Sequence, residues 1–478
     1  MNPLHDITIA GAGVTGWLAA AALARNHAGR GGSVTVVPLP GADDSLDPFG
    51  PVAQALPGNV EDLASLLGLS PADIMRAGGG GFSLGTAFRG WAGTGSVSFL
   101  PFGETGADLN GVAFPHLVWR ARAAGAQVRM TDYSLATLAA QAERFALPSP
   151  DMRSVLSTLA PGAFIDLRGL AALARAQALA AGARLAPAPL SHVRRNEDGG
   201  VAALVLADDN EVSGGWYIDA TGPRALLATQ GNGWVDWQHW LPCDRYIVEQ
   251  AAAEGTPPPY ALHGADSAGW TRRLPLRQGA WVTKLGIEGG QGFTSGRRER
   301  AWHGNVLALG AASCLMDPVG GTALALLISS IRRMLALYPV APGEGPEAGD
   351  FNRQAVDETE RARDFLIQRF RCNGKLGEPF WDAARRIEPP EPLAHKLALY
   401  ESRGRIPLYD GELFGRADWM NMLDAAGIHA RRCDAQAAAL SDTDIMAHLE
   451  KLRGVLLRAA GNLPSHAQAL ARLLGDAA

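Results

Sequence analysis

Three glycines near the start of the chain have the spacing that binds a dinucleotide. Gly11, Gly13 and Gly16 follow a β-prone apolar run and lead into an alanine- and leucine-rich segment, which predicts strand, tight turn and helix. The first glycine would permit the turn, the second would let backbone approach a pyrophosphate, and the third would let helix and strand pack closely. A strand–turn–helix that binds nothing is the alternative, and this context favours dinucleotide binding.

A second strand, turn and helix start occurs later in the chain. Residues 305–312 read as a strand that ends in a small-residue turn, and residues 316–322 open a helix that continues to residue 337. A helix N-terminus after a strand suits an anion or the edge of a flavin ring. Asp317, Pro318 and Thr322 are therefore candidate cofactor contacts.

Two further strands must position these glycines. Residues 33–37 predict the second parallel strand, whose end usually carries an acid for the ribose hydroxyls. Pro38 follows that strand here, and Asp43 or Asp44 could supply the acid only through a longer loop. Residues 215–219 predict a third strand that returns to the nucleotide site, and Asp219 at its end is interpreted as a strand-end cap rather than a catalyst.

The rest of the chain predicts an α/β protein with a helical end. Helical spacing covers residues 59–75 and 169–183, residues 269–276 and 280–283 look like adjacent strands of a sheet over the cofactor, and residues 81–91 look like one strand. Residues 339–349 are the best linker candidate. We therefore expect two domains, a cofactor-binding and substrate-sheet domain at 1–340 and an α-helical lobe at 341–478.

Composition excludes several functional classes. Lysine and arginine number 43 against 48 acidic residues, and no basic block suggests nucleic acid or an anionic membrane as partner. The four cysteines lack CxxC spacing, which argues against a metal site or a disulfide framework and favours a reducing, cytoplasmic compartment. The uncharged run 7–24 is interpreted as a buried strand and helix rather than a membrane span. No lysine precedes Lys284.

Many short motifs along the chain resemble the flavin-dependent tryptophan halogenase family. They follow that family's order over almost the full length, and their positions are 16–17, 66–71, 82–91, 101–103, 164–166, 217–222, 242–245, 269–270, 274–276, 317–318, 377–381, 405–407 and 419. Each motif is weak by itself, but their common order is specific. The resemblance implies a Rossmann-like, doubly wound FAD domain of the flavin monooxygenase type, an inserted β-sheet substrate region and a C-terminal helical lobe.

The resemblance also implies a cofactor, partners and a reaction. In the family, FAD reduced by a separate flavin reductase reacts with oxygen, and the flavin hydroperoxide oxidises halide to hypohalous acid. A lysine presents the halogen to a small aromatic substrate, an indole, while a glutamate assists. Phe380 and Trp381 match aromatic positions that line the indole, although a core aromatic pair explains them equally well. Members of the family commonly form homodimers, so the resemblance also implies a possible homodimer.

This sequence departs from the family at the catalytic positions. Ser83 stands where the lysine is expected, and Gly320 stands where the glutamate is expected, so neither has a catalytic role by the family's mechanism. Of the three residues on the halide side of the family's site, only Thr322 remains. The flavin-contacting loop is altered around Gln54, and Arg272 replaces the second tryptophan of a WxW motif. Arg272 or Arg273 could bind an anionic substrate group, although a solvated or salt-bridged arginine is the commoner case.

Three functions are compatible with these departures. The first is an FAD-dependent oxidoreductase with monooxygenase-type chemistry from a flavin hydroperoxide on an aromatic or indole-like substrate, without halogenation. The second is a non-catalytic halogenase homologue that acts as a partner or binding protein. The third, halogenation by another route, would need a different halogen carrier near Ser83.

Overall fold

The computed structural model describes residues 6–27, 32–41, 48–228, 231–252, 255–339 and 345–474. Fourteen α-helices lie within those ranges: α1 Val14–His27, α2 Asn59–Leu67, α3 Pro71–Ala77, α4 Phe114–Ala123, α5 Leu135–Gln141, α6 Leu167–Ala180, α7 Thr322–Ala336, α8 Pro346–Arg371, α9 Pro379–Arg385, α10 Glu391–Arg403, α11 Arg416–Ala425, α12 Ala435–Ala439, α13 Asp442–Asn462 and α14 His466–Leu474.

The strands form five sheets in the described part of the chain. They are β1 Asp6–Ala10, β2 Ser33–Val37, β3 Val52–Ala55, β4 Phe82–Ser83, β5 Gly85–Arg89, β6 Val97–Pro101, β7 Gly162–Asp166, β8 Arg184–Leu185, β9 Leu190–Arg195, β10 Val201–Leu206, β11 Glu211–Val212, β12 Trp216–Asp219, β13 Trp234–Asp236, β14 Arg245–Ala251, β15 Ala261–Ala265, β16 Trp270–Leu276, β17 Gly279–Leu285, β18 Gln291–Gly292, β19 Gly296–Arg298, β20 Trp302–His303, β21 Val306–Ala308 and β22 Cys314–Leu315.

The first sheet is the predicted nucleotide-binding unit. Its strand order is β20-β21-β12-β1-β2-β8, and β1 pairs in parallel with both β2 and β12. Ala10 is paired with Val37 on one side and with Asp219 on the other, so the ends of the three predicted strands meet at one edge. The alanine-rich α1 is buried over most of its length, because its small side chains allow close packing on this sheet and against α6. The Rossmann-like α/β prediction is confirmed.

The second large sheet covers the nucleotide-binding edge. Its order is β18-β14-β17-β16-β15-β5-β6. Strands β16 and β17 are neighbours, as the sequence predicts, and they run antiparallel. The segment predicted as one strand at 81–91 is instead two strands in two sheets. Gly85 breaks it with φ +149°, where a Cβ atom would lie 2.2 Å from the Leu100 carbonyl oxygen. This break leaves β4 in the small sheet β3-β7-β4 and β5 in the large one.

The C-terminal part is helical, as predicted, and it packs on helices from the first half of the chain. Helix α13 contacts α4 and α5, and Arg122 on α4 pairs with Asp424 on α11 at 2.5 Å. The Trp119 and Tyr400 rings lie 5.9 Å apart in a hydrophobic core that both halves share. Residue 340, the proposed domain boundary, lies outside the described residues, so that division stays a prediction. No helix in the described ranges is long and apolar enough to cross a membrane.

Candidate functional site

A cleft of about 850 Å³ lies where the carboxyl ends of β1, β12 and β21 meet the large sheet. Its walls include Val14 and Thr15 at the start of α1, the Ala220–Gly222 turn after β12, and Gly310 after β21. A ligand cleft at the carboxyl ends of parallel strands is the usual arrangement in open α/β sheets. The volume lies within the range of small-molecule and cofactor sites.

The glycine spacing is required by the way backbone segments cross at this edge. Gly11 has φ +105°, and a Cβ atom there would lie 2.3 Å from the Ala220 carbonyl oxygen. A Cβ on Gly16 would lie 1.9 Å from the Gly11 carbonyl oxygen. Gly13 is buried, and its carbonyl accepts from the Trp17 N–H at 3.0 Å in the first turn of α1. Larger residues at positions 11 and 16 would push α1 away from the cleft.

Two helices begin at this cleft directly after a glycine, Gly13 for α1 and Gly321 for α7. Helix α1 has no acidic residue in its first turn, and α7 begins after Gly321, which provides no side-chain hydrogen bond. Val14 and Thr15 of α1 and Thr322 of α7 line the cleft. The first N–H groups of a helix lack intrahelical partners and carry the positive end of its dipole. The residues present therefore fit a large, anionic dinucleotide such as FAD.

Asp219 is placed as the sequence predicts, at the end of its strand. Asp219 is fully buried and accepts hydrogen bonds from Thr221 N at 3.0 Å, Thr221 Oγ1 at 2.7 Å and Leu227 N at 2.8 Å. Burial raises the pKa of this carboxyl. These bonds are those of a strand-end cap that fixes the Ala220–Gly222 turn. Asp43 and Asp44 lie outside the described residues.

Ser83 lies behind the cleft wall, and Gln54 separates it from the cleft. Ser83 is fully buried, whereas Gln54 lines the cleft and donates through Nε2 to Ser83 Oγ at 3.0 Å and to the Gly85 carbonyl at 3.1 Å. The Thr86 hydroxyl donates to Gln54 Oε1 at 3.3 Å. We call Gln54, Ser83 and Thr86 the amide–hydroxyl cluster. It joins the cleft-lining loop at Gln54 to Ser83 on β4, and the assignment of Ser83 to the family's lysine position stays a prediction.

Gly320 and Gly321 bring the start of α7 against the same loop. Gly320 has φ +63°, and a Cβ there would lie 3.8 Å from the Phe414 ring. A Cβ on Gly321 would lie 2.4 Å from the Gln54 carbonyl oxygen. The start of α7 therefore adjoins the loop that also contacts Ser83, while the assignment of Gly320 to the family's glutamate position stays a prediction.

Arg272 forms part of the inner wall of the cleft. Its side chain is 7% exposed, and its Nη2 donates to the Phe49 carbonyl at 2.8 Å and to Thr283 Oγ1 at 3.2 Å. Its Nη1 lies 3.5 Å from the Pro318 carbonyl oxygen. The arginine thus ties the sheet to the loop before α7, and it lies in the cleft wall instead of on a solvated surface.

The candidate contacts Asp317, Pro318 and Thr322 occupy different positions. Pro318 and Thr322 line the cleft, whereas the Asp317 carboxylate is fully buried beneath it. Asp317 accepts from Trp270 Nε1 at 3.2 Å and from Ser295 Oγ at 3.4 Å. Burial raises the pKa of Asp317 to about 6. Its side chain fixes the loop that precedes α7.

Phe380 and Trp381 lie on α9 and do not line this cleft. Trp381 is fully buried, its Nε1 donates to the Asp266 carbonyl at 2.6 Å, and its ring lies 4.9 Å from that of Trp91. Phe380 packs on Trp381 at 5.1 Å. Both residues belong to an aromatic cluster that continues to Trp270, and their contact with a substrate stays a prediction.

Sequence reasoning identified Gln54 only as an altered loop residue. Its hydrogen bonds to Ser83 and Thr86 depend on the break at Gly85, which no local pattern signals.

Within the described ranges, no group of three or more His, Cys, Asp or Glu side chains could hold a metal ion.

Comparison with known proteins agrees with this fold and cleft. The family model described as tryptophan halogenase matches residues 6–282 and 288–442. A solved flavin-dependent halogenase, BrvH from Brevundimonas sp. BAL3, is 31% identical, with a TM-score of 0.91 over 98% of this chain and 99% of that one. Another, Xcc4156 from Xanthomonas campestris, is 29% identical, with a TM-score of 0.89 over 98% of each chain.

A curated relative is more distant. The 7-chloro-L-tryptophan 6-halogenase KtzR from Kutzneria sp. (strain 744) is 24% identical over 321 residues, which span 59% of this chain and 61% of the relative. Flavin-dependent halogenases use FAD that a separate flavin reductase reduces. Because the family model covers most of its length, this chain belongs to the tryptophan halogenase family.

Proposed function

We propose that this protein binds FAD and oxidises a small aromatic molecule by monooxygenase-type chemistry, without transferring a halogen. The observation that supports this proposal is a cleft of cofactor size at the ends of the parallel strands, combined with a serine and a glycine at the positions that the resemblance assigns to the family's lysine and glutamate. When bound and reduced, FAD supplies oxidising chemistry with molecular oxygen.

The residues of the cleft would bind and orient the cofactor. The N–H groups at the start of α1 would bind the pyrophosphate beside Gly11 and Gly13, and the start of α7 would place its positive end towards the flavin. Pro318 and Thr322 line that second end. Gln54 and Arg272 form the wall there, and both are held by several hydrogen bonds.

The chemistry of the wall argues against halogen transfer. A hydroxyl cannot form the N–halogen bond that a lysine amine forms, and Ser83 Oγ already bonds Gln54 and the Gly85 carbonyl. Gly320 provides no carboxylate to take a proton from an arene. The oxidant would therefore act on the substrate without a covalent carrier on the protein.

A titration of the purified protein with FAD tests the first half of this proposal. Saturable binding, with a change in flavin absorbance or fluorescence, is expected, and no change up to millimolar FAD would refute it. Turnover with a flavin reductase and oxygen tests the second half. We expect oxygenated products from indoles to form equally with and without bromide, and a brominated product would refute the absence of halogen transfer.

A non-catalytic role is the second candidate. It is supported by the amide–hydroxyl cluster, which fills the space between the cleft and the position of the missing lysine with hydrogen-bonded side chains. In that case the protein would bind a halogenase or its substrate instead of turning substrate over. FAD binding without any product from a broad set of indoles would favour this candidate over the first.

A further inference from the structure

A buried positive charge lies in the aromatic core, outside the FAD cleft. Arg369 on α8 is 5% exposed, and its guanidinium carbon lies 3.6 Å from the centre of the Phe88 ring and 4.7 Å from that of Trp91. Phe88 lies on β5 of the second large sheet, so the arginine side chain extends from α8 to that sheet. None of these residues lines the cofactor cleft.

The Arg369 guanidinium has almost no hydrogen-bond acceptor. Its Nη1 contacts the Met422 sulfur at 3.1 Å, while Nε and Nη2 are buried with no partner among the described residues. No carboxylate of those residues forms a salt bridge with it, although other buried arginines, such as Arg363 with Asp364 at 2.7 Å, have one. Burial lowers the pKa of Arg369 to about 9, so it is still charged at neutral pH.

Two more unpartnered donors surround the same phenylalanine. His263 is fully buried, and neither of its ring nitrogens has a partner in the described structure. Its ring centre lies 5.1 Å from that of Phe88 and 4.9 Å from that of Trp270. Trp91, at 5.8 Å from Phe88, also has a buried Nε1–H without an acceptor among the described residues. A neutral histidine offers one N–H, and an indole is only a donor.

All three unpartnered groups can donate, and one of them carries a positive charge. A buried charge without a counter-ion is strongly destabilising, and buried donors are normally hydrogen-bonded. The electron-rich faces of Phe88 and Trp91 compensate the Arg369 charge only in part, and they satisfy none of its N–H groups. The missing complement is therefore a small acceptor with a negative charge.

We propose that Arg369, His263 and Trp91 form a buried site for a monatomic anion the size of chloride or bromide. The three groups flank one phenylalanine ring, and the aromatic side chains around them favour a small, weakly hydrated ion. The ion neutralises Arg369 and accepts from the histidine and indole N–H groups. This site is separate from the FAD cleft, and its role is independent of turnover.

Crystals of the whole protein grown or soaked in sodium bromide give the direct test. We expect an anomalous bromine peak within hydrogen-bond distance of Arg369 and His263, and its absence at saturating bromide would overturn the proposal. This measurement needs no variant. It also distinguishes an ion from a water molecule, because water gives no anomalous signal.

Variants test the site in solution. The wild-type melting temperature should rise when sodium bromide replaces sodium gluconate at equal ionic strength, and Arg369→Met should abolish that rise. Arg297→Met is the matched control, because Arg297 has a carboxylate partner in Glu360 at 2.7 Å, and it should keep the rise. An equal rise in Arg369→Met would overturn the proposal. If that variant does not fold, Arg369→Lys, which keeps the charge but not the planar donors, should weaken the response.

Discussion

The Nε2 atom of Gln54 lies 3.0 Å from the hydroxyl oxygen of Ser83, and both side chains are buried. This hydrogen bond connects the loop that borders the cofactor cleft to Ser83, the residue that the proposed function assigns to the position of the family's lysine. The side chains of Gln54, Ser83 and Thr86 are neutral polar groups that satisfy one another by hydrogen bonds.

Substitution of Ser83 by lysine should not restore halogenation. The ammonium group would be buried beside the Gln54 amide, where the partners of Ser83 are an amide and a carbonyl and not a carboxylate, and the free energy of unfolding should fall by about 3 kcal/mol or more. Ser83→Ala is the control and should cost about 1 kcal/mol for the lost hydrogen bonds. Chemical denaturation measures both values, and mass spectrometry of indoles after turnover with bromide should show no brominated product with either variant.

Gly11→Ala should destabilise the cofactor cleft. The added Cβ would lie 2.3 Å from the Ala220 carbonyl oxygen at φ +105°, so α1 must shift and FAD affinity should fall at least tenfold, about 1.4 kcal/mol. Gly182→Ala is the matched control, because Gly182 has φ +95° and a Cβ there would have no neighbouring atom within 4 Å. The control variant should lose only about 1 to 2 kcal/mol of stability, which is the cost of placing a residue other than glycine at positive φ. Its FAD affinity in a fluorescence titration should be unchanged.

Arg272→Met should loosen the inner wall of the cleft. It removes the bonds to the Phe49 carbonyl and to Thr283 Oγ1, and we expect the free energy of unfolding to fall by about 2 kcal/mol. Arg273→Met changes the next residue of the same strand, which is more exposed and contacts the Ala252 carbonyl at 3.4 Å. That control should change stability by less than about 0.5 kcal/mol. Equal losses in the two variants would contradict the role assigned to Arg272.

Asp317 should make the protein less stable as the pH rises from about 4 to about 6. Burial raises its folded-state pKa to about 6, above the unfolded value of 3.8, so the folded state binds the proton more tightly in this range. The penalty on ionisation approaches about 3 kcal/mol above that range. Asp317→Asn should flatten this part of the stability curve. Asp73→Asn is the control. Hydrogen bonds from Ser70 lower the pKa of Asp73, so its carboxylate contributes stability that is lost as the pH falls, which is the opposite pH dependence.

The sequence predicted the parts of the fold that depend on local patterns. The β1–α1 glycine turn, the parallel strands β2 and β12, and the helical C-terminus follow from periodicity and glycine spacing, and the family follows from motifs in a common order. The split at Gly85 was missed, because its cause is the approach of the Leu100 carbonyl from another strand. The unpartnered donors around Phe88 could not be predicted either, since burial and partner atoms depend on packing between distant segments.

The amide–hydroxyl cluster also constrains how the chain could change over time. One side chain, Gln54, bonds groups on both sides of the break between β4 and β5, so substitutions at Gln54, Ser83 and Thr86 should be energetically coupled. A lysine introduced at position 83 would lie beside Gln54, whose side-chain amide is positioned to donate to the serine hydroxyl. On the function proposed above, a gain of halogen transfer would therefore require several changes together, because a single substitution at position 83 would be opposed by the stability of the present arrangement.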